Sequence, residues 1–208
     1  RIFLLVIGIN VLFYVFLILK TTIFKTEVIY IAFIGPTRLE FTQNIVGAIE
    51  MYLENINAEG GIDGKKIELL IYDDRDDEIL AEKIAIQIAE ENSVLIVLGH
   101  NSSNAAVAAG KIYGLNEIPA ITASATAEKV TFGNDWYFRT IPNNVVQADF
   151  ISNYLHLTLK KSTASIVFDE GAYGSSLAAN FQKTAKKLGI SINGIWSFKR
   201  GGGGWINN

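Results

Sequence analysis

The chain has 208 residues, a formal net charge of −3, no cysteine and two histidines. It can form no disulfide, thiolate zinc site or cysteine nucleophile, and His100 and His156 alone cannot build a histidine-rich metal centre. Lacking a basic surplus, it does not have the profile of a nucleic-acid binder, and its length suggests one domain and part of another.

The apolar residues are concentrated at the start. Ile2–Leu19 is a run of eighteen without a charge, which as a helix would span roughly 27 Å, close to the hydrocarbon core of a bilayer. Residues 1–26 therefore read as a transmembrane anchor. A cleaved signal segment is the alternative. Its apolar region would be shorter and followed by small residues at the cleavage site, which Lys20–Lys25 (KTTIFK) does not supply. With residues 1–26 set aside, 15 bases face 21 acids, a net −6. A membrane-proximal segment followed by an acidic soluble domain is expected.

Beyond residue 26, short β-rich runs alternate with helical patterns. Val28–Ile34 is a strand ending at Gly35–Pro36, and Thr42–Asn57 a helix with Ile45, Val46, Ile49, Leu53 and Ile56 on one face. Glu59–Gly64 is a turn, Lys66–Tyr72 the second strand and Asp76–Glu91 the second helix, with acids in its first turn. Val94–Leu98 is a third strand, Ser103–Tyr113 a helix, Pro119–Thr122 a strand, and Trp136–Arg139 a strand or bend. A helix over Val145–Leu159, a strand at Ala164–Phe168, a helix over Ser175–Leu188 and a strand at Ser191–Phe198 complete the pattern, which Gly201–Gly204 is expected to end. Strands alternating with helices imply βαβ units, and strands that are apolar throughout imply an α/β fold: a three-layer, mostly parallel sheet with helices on both faces. Thr140–Asn144, with one of three prolines, marks either a domain crossing or an ordinary loop.

Three strand ends carry residues suited to holding a ligand, since in open α/β sheets ligands bind beyond the carboxyl ends of strands. The first is Gly99–Ser103 (GHNSS), where free N–H groups at a helix start would favour a carboxylate or phosphate and Ser102 and Ser103 would add hydroxyls. One of these serines can equally be a simple helix cap. The second is Ile121–Thr126 (ITASAT), with small and hydroxylic residues, where capping competes in the same way. The third is Phe168–Gly174, whose Tyr173 can pack its ring on a ligand or merely cover the core.

The acids Asp73, Asp74, Asp76, Asp77 and Glu78 lack the glycine and distal glutamate of a calcium loop and read as helix-start acids on a solvated surface. A receiver domain would need an acid after the third strand, where Gly99–Asn101 stands. Neither G-x-S-x-G nor a P-loop is present, the first strand does not end in G-x-G-x-x-G, and no acid is evident to orient His100 toward Ser103. The chain reads as a non-enzyme with no cofactor.

Seven segments in order carry a resemblance: Ile34–Pro36, Ile56–Gly64 (INAEGGIDG), Tyr72–Asp74, Gly99–Ser103, Ile118–Thr122, Phe138–Thr140 and Asp169–Gly174. Together they resemble the leucine/isoleucine/valine-binding family, type I periplasmic solute-binding proteins that feed amino-acid ABC transporters, over roughly residues 28–198. The resemblance implies a two-lobed α/β clamp that closes on an amino acid, with 27–140 as first lobe, 141–200 as the start of the second and 201–208 as a glycine-rich tail. By position, Ser103, with Ser102 beside it, matches the carboxylate-binding serine. Ser124, mostly through its backbone, and Thr126 match the loop that holds carboxylate and ammonium, and Tyr173 matches the aromatic closing from the second lobe. Glu40 stands where the family often has an aromatic near the ligand side chain, which departs from a branched-chain preference. Family members continue well over a hundred residues further. The expectation is a fragment or truncated product with weak or no high-affinity binding. Its partners would be an amino acid or related small molecule, and an ABC permease for uptake or a fused signalling domain in a sensor. It would sit in the membrane through the N-terminal helix, on the periplasmic or extracellular face, without nucleic acid.

Overall fold

The computed structural model describes residues 28–92, 94–199 and 205–207. The anchor expected over residues 1–26 lies outside these. Among the described residues, no helix is long and apolar enough to cross a membrane.

Five parallel strands form the first sheet: β1 (Ile29–Gly35), β2 (Ile67–Asp73), β3 (Val94–Gly99), β4 (Ala120–Thr122) and β5 (Tyr137–Arg139). Their order is β2-β1-β3-β4-β5. The helices between them are α1 (Glu40–Ala58), α2 (Glu78–Glu91) and α3 (Ser103–Leu115). The chain steps one way from β1 to β2 and then back across β1 to β3. Right-handed crossovers therefore put α1 on one face and α2 and α3 on the other. The direction reverses between β1 and β3, where such sheets open a crevice.

The core lies on the α2–α3 side. Ala32 and Ile34 of β1, Val97 of β3 and Ala120 of β4 pack with Ala81, Ile84, Ala85 and Ile88 of α2 and Ala105, Ala106, Ala109 and Tyr113 of α3. Alanines on both helices let them lie close to each other and to the sheet. The apolar face expected on α1 is only partly covered: Leu53 is buried, Val46, Ile49 and Ile56 are half-buried, and Ile45 is exposed.

The turn after α1 has a specific lock. The Asn57 amide donates to Ile67 O and accepts from Ile67 N, both at 2.8 Å, so the side chain acts as a strand partner for the first residue of β2. Gly61 (φ +74) lies where a Cβ would fall 1.9 Å from Lys65 O, which only glycine avoids.

A second unit follows residues 140–143. It contains α4 (Asn144–Asn153), continuing as a π-helical turn over Tyr154–Thr158, then β6 (Thr163–Asp169), α5 (Ala172–Lys187) and β7 (Ser191–Phe198). β6 and β7 pair in parallel. The folded pattern does not end at Gly204 as expected: Trp205–Asn207 forms β8, antiparallel to Trp196–Phe198. Backbone pairing needs only an exposed strand edge and tolerates a glycine-rich connection, so low complexity was a poor stop signal.

Candidate functional site

The ends of β1, β2, β3 and β4 and the end of β6 converge on one cleft. Here the chain leaves β3 through Gly99 (φ +143), where a Cβ would fall 2.2 Å from Ile34 O; glycine is what lets β3 press against β1 at the crevice. Two adjoining cavities open there. One, of about 460 Å³, is lined by Pro36, Leu39 and Phe41 on its apolar side and by Asp76, Asn101, Ser102, Ser103, Ser124 and Tyr173. The other, of about 500 Å³, shares Asp76, Ser102, Ser103 and Tyr173 and continues to Asn104 and the carboxylates of Asp77, Glu78, Asp169 and Glu170, with Lys199 at its edge.

Ser102 is the N-cap of α3, its Oγ accepting from Ala105 N at 3.3 Å. The capping role was thus correctly one of its two readings, and the side chain still faces both cavities. Ser103, the first residue of α3, is buried and its Oγ accepts from Ala127 N at 3.1 Å, leaving its O–H to donate. Ser124 donates its hydroxyl to Asn101 O at 2.8 Å and its N–H to Thr122 Oγ1 at 3.3 Å, so it joins the β3 and β4 loops as well as lining the cleft. Tyr173, the second residue of α5, is half exposed over the cleft.

Thr126 lies deeper. It is buried, lines neither cavity, and its Oγ1 has no hydrogen-bond partner among the described residues; its carbonyl accepts from Asn144 N at 2.9 Å. Glu40 is not brought in. It is exposed on the first turn of α1, while its neighbours Leu39 and Phe41 line the cavity. Pattern reading missed these two because they sit at a helix start, where periodicity does not say which side faces a cleft.

The reading of the acid cluster as a solvated surface fails for Asp74, which is fully buried. With the proton on Nδ1, His100 donates to Asp74 Oδ2 at 2.7 Å, and its Nε2 accepts from the Tyr113 hydroxyl at 3.0 Å. The orienting acid that seemed absent is therefore Asp74, 26 residues upstream. It does not make a nucleophilic pair, because the imidazole is itself fully buried and faces Tyr113, not Ser103. Tyr137 completes the network: its hydroxyl donates to Gly99 O at 2.7 Å and accepts from His100 N at 2.9 Å, while Thr122 Oγ1 donates to His100 O at 2.9 Å. Burial pushes the phenols of Tyr113 and Tyr137 well above the ordinary range; the negative charge of Asp74 adds to this, and the His100 N–H partly offsets it at Tyr137. Asp77 is the N-cap of α2, accepting from Leu80 N at 2.8 Å, as helix-start acids do.

Arg139 braces the loop behind the cleft, its guanidinium donating to the carbonyls of Ala125 (3.2 Å) and Ala127 (2.9 Å) and to Thr131 Oγ1 (2.8 Å). Burial pulls its pKa below the usual guanidinium range, against the opposing pull of Glu128.

A parallel α/β sheet whose strand ends meet a second α/β unit across a polar cleft defines an open, clamp-like binding architecture, not a closed barrel or sandwich. The chain belongs to the periplasmic binding protein family, whose sequence model matches residues 30–202. It is similar to the leucine-, isoleucine-, valine-, threonine- and alanine-binding protein of Pseudomonas aeruginosa, 32% identical over 159 residues, 76% of this chain and 42% of the relative. It is likewise 32% identical to the Leu/Ile/Val-binding protein of Escherichia coli over 159 residues, 76% of this chain and 43% of that protein. Among solved structures it resembles the leucine complex of an ABC transporter substrate-binding protein from Desulfitobacterium hafniense (TM-score 0.73, 26% identity, 83% of this chain and 51% of that one). A branched-chain amino acid transporter substrate-binding protein from Streptococcus pneumoniae, in complex with isoleucine, gives TM-score 0.73 at 25% identity over 85% of this chain and 51% of that one. These relatives are solute-binding proteins. The chain spans about two fifths of the length of the curated relatives and half that of the solved ones.

Proposed function

We propose that this chain forms the N-terminal part of an extracytoplasmic solute-binding protein that takes an amino acid or a close analogue in the cleft and delivers it to an ABC transporter. In this reading, residues 27–140 are the first lobe and 141–200 the start of the second. The observation that carries it is the start of α3: Ser103, with its hydroxyl proton still free to donate, lines a cavity beside Ser102, where the helix dipole favours a carboxylate. Carboxylates that also line the cleft, Asp76 and Asp169 among them, suit the ammonium of the same zwitterion. Leu39, Phe41 and Tyr173 would receive the side chain, which favours an apolar one despite Glu40. Thr126, whose buried hydroxyl has no partner among the described residues, would act from beneath the site.

The relatives named for binding branched-chain amino acids support this ligand class. A second reading, the ectodomain of a membrane-anchored sensor, is favoured by the uncharged run Ile2–Leu19, because transport binders are more often released. Amide NMR spectra of the full chain with leucine, isoleucine, aspartate and lysine test the ligand class. Saturable shifts at Ser103, Ser124 and Tyr173 are expected with the aliphatic amino acids, with Kd weaker than about 1 µM, and Ser103→Ala should weaken them by about ten-fold. Absence of shifts at those three amides with every amino acid would sink the proposal.

A further inference from the structure

The start of α5 lacks a cap of its own. The first N–H groups of a helix have no intrahelical acceptor, and the N-cap here is Gly171, which has no side chain to offer one. The N–H of Ala172 instead donates to the side-chain oxygen of Asn104, 68 residues earlier, at 2.6 Å. Gly171 is shaped for this: a Cβ there would lie 3.2 Å from the Asn104 oxygen and 2.7 Å from Asp169 Oδ1. Further along α5, Asn180 donates to the Glu128 carboxylate and, at 2.9 Å, to Ser176 O. Asn104 and Glu128 belong to the first unit and α5 to the second. The bond also lies one residue from Ser103 on one side and one from Tyr173 on the other, both of which line the cleft.

We propose that Asn104 is a positioning residue that sets the closure of the two units: it serves as the N-cap of α5 from across the cleft and so determines where Tyr173 stands over the cavity. Glu128 holds the same helix two turns further on and fixes its direction. Closing the clamp satisfies an N–H that opening leaves to water, so closure has a bias built into the protein and independent of any ligand. Gly171 is part of the device, since a larger residue would push the amide away. The consequence for affinity rests on the function proposed above; the closure itself does not.

The test needs no ligand. Because the chain has no cysteine, Lys83→Cys in α2 and Lys183→Cys in α5, both exposed, can be spin-labelled in the full chain and their distance distribution measured by pulsed electron resonance. The parent should give one dominant distance. Asn104→Ala should raise the share of the second, open population by about five-fold, the usual effect of losing a cap. Gly171→Ala should act in the same direction. Asn104→Asp, which keeps the acceptor and suits the helix dipole, should restore the parent distribution. The proposal is overturned if the alanine variant keeps the parent distribution, including when it loses stability in urea, because Asn104 would then be structural only. It is equally overturned if Asn104→Asp opens the units as far as Asn104→Ala. If the units close as described and the chain still ignores every amino acid, the functional proposal fails and this one stands.

Discussion

Replacing His100 by leucine tests whether the buried network beneath the cleft is held by the imidazole. The residue is fully buried and its ring bonds Asp74 at 2.7 Å and Tyr113 at 3.0 Å. Leucine fills similar volume, so little of the effect comes from a cavity. The cost arises from what is left behind. Asp74, fully buried, keeps the bond from Asp76 N to its Oδ1 but loses the partner of Oδ2, and the Tyr113 hydroxyl loses its acceptor. Leaving a buried polar group without its partner costs about 1–3 kcal/mol, and more for a carboxylate, so the two losses together take a large part of the ~5–15 kcal/mol total of a typical domain. His100→Asn should cost less, about 1–2 kcal/mol, because its amide can stand in for Nδ1–H toward Asp74 while only the Tyr113 bond is lost. Urea unfolding followed by far-UV circular dichroism would give both values from the midpoints and slopes. The refuting result is a leucine variant within about 1 kcal/mol of the parent, or an asparagine variant no better than leucine. Either would mean that packing, not the bond to Asp74, is what His100 contributes.

Alkaline stability should follow the two buried phenols. An unfolded tyrosine ionises near pH 10, whereas Tyr113 and Tyr137 hold their protons to higher pH in the fold. Their contribution is intact below about pH 10 and is lost as pH rises from there toward the folded values, by up to ~1.4 kcal/mol per pH unit for each. Phenolate absorbance should therefore show two of the eight tyrosines ionising only with unfolding, and titration of all eight near pH 10 with circular dichroism unchanged would contradict this. Asn57→Ala should lower stability by about 1–3 kcal/mol, because the N–H and C=O of Ile67 both lose a partner. Thermal unfolding measures it, and a shift under about 1 °C would argue that the turn closes without the amide.

Much of the fold was legible without coordinates. Short apolar runs located the first four strands of the first sheet and left the fifth as a strand or bend, and the helix over Thr42–Asn57 was found to within two residues because 3.6-residue periodicity is local. The glycines at 60, 61 and 64 announced a turn for a reason internal to the backbone. Ser102, Ser103, Ser124 and Tyr173 could be named as cleft residues because the ends of parallel strands gather at one edge of a sheet.

Other features depend on which elements become neighbours. Nothing near Asp74 in the chain says that it is buried, since its partner arrives with β3 after the chain has crossed β1. Glu40 was matched by position in the resemblance, whereas Leu39 and Phe41 line the cavity, because the side on which a helix start meets a cleft is set by the tilt of the whole helix. The cap of α5 comes from α3, and β8 adds to an edge that exists only once β7 is in place. Short-range patterns in the sequence determined which segments are strands, helices and turns. Strand order and the packing of one unit on another decided which polar groups meet, because those pairings depend on the path of the chain between them and not on the residues at either end.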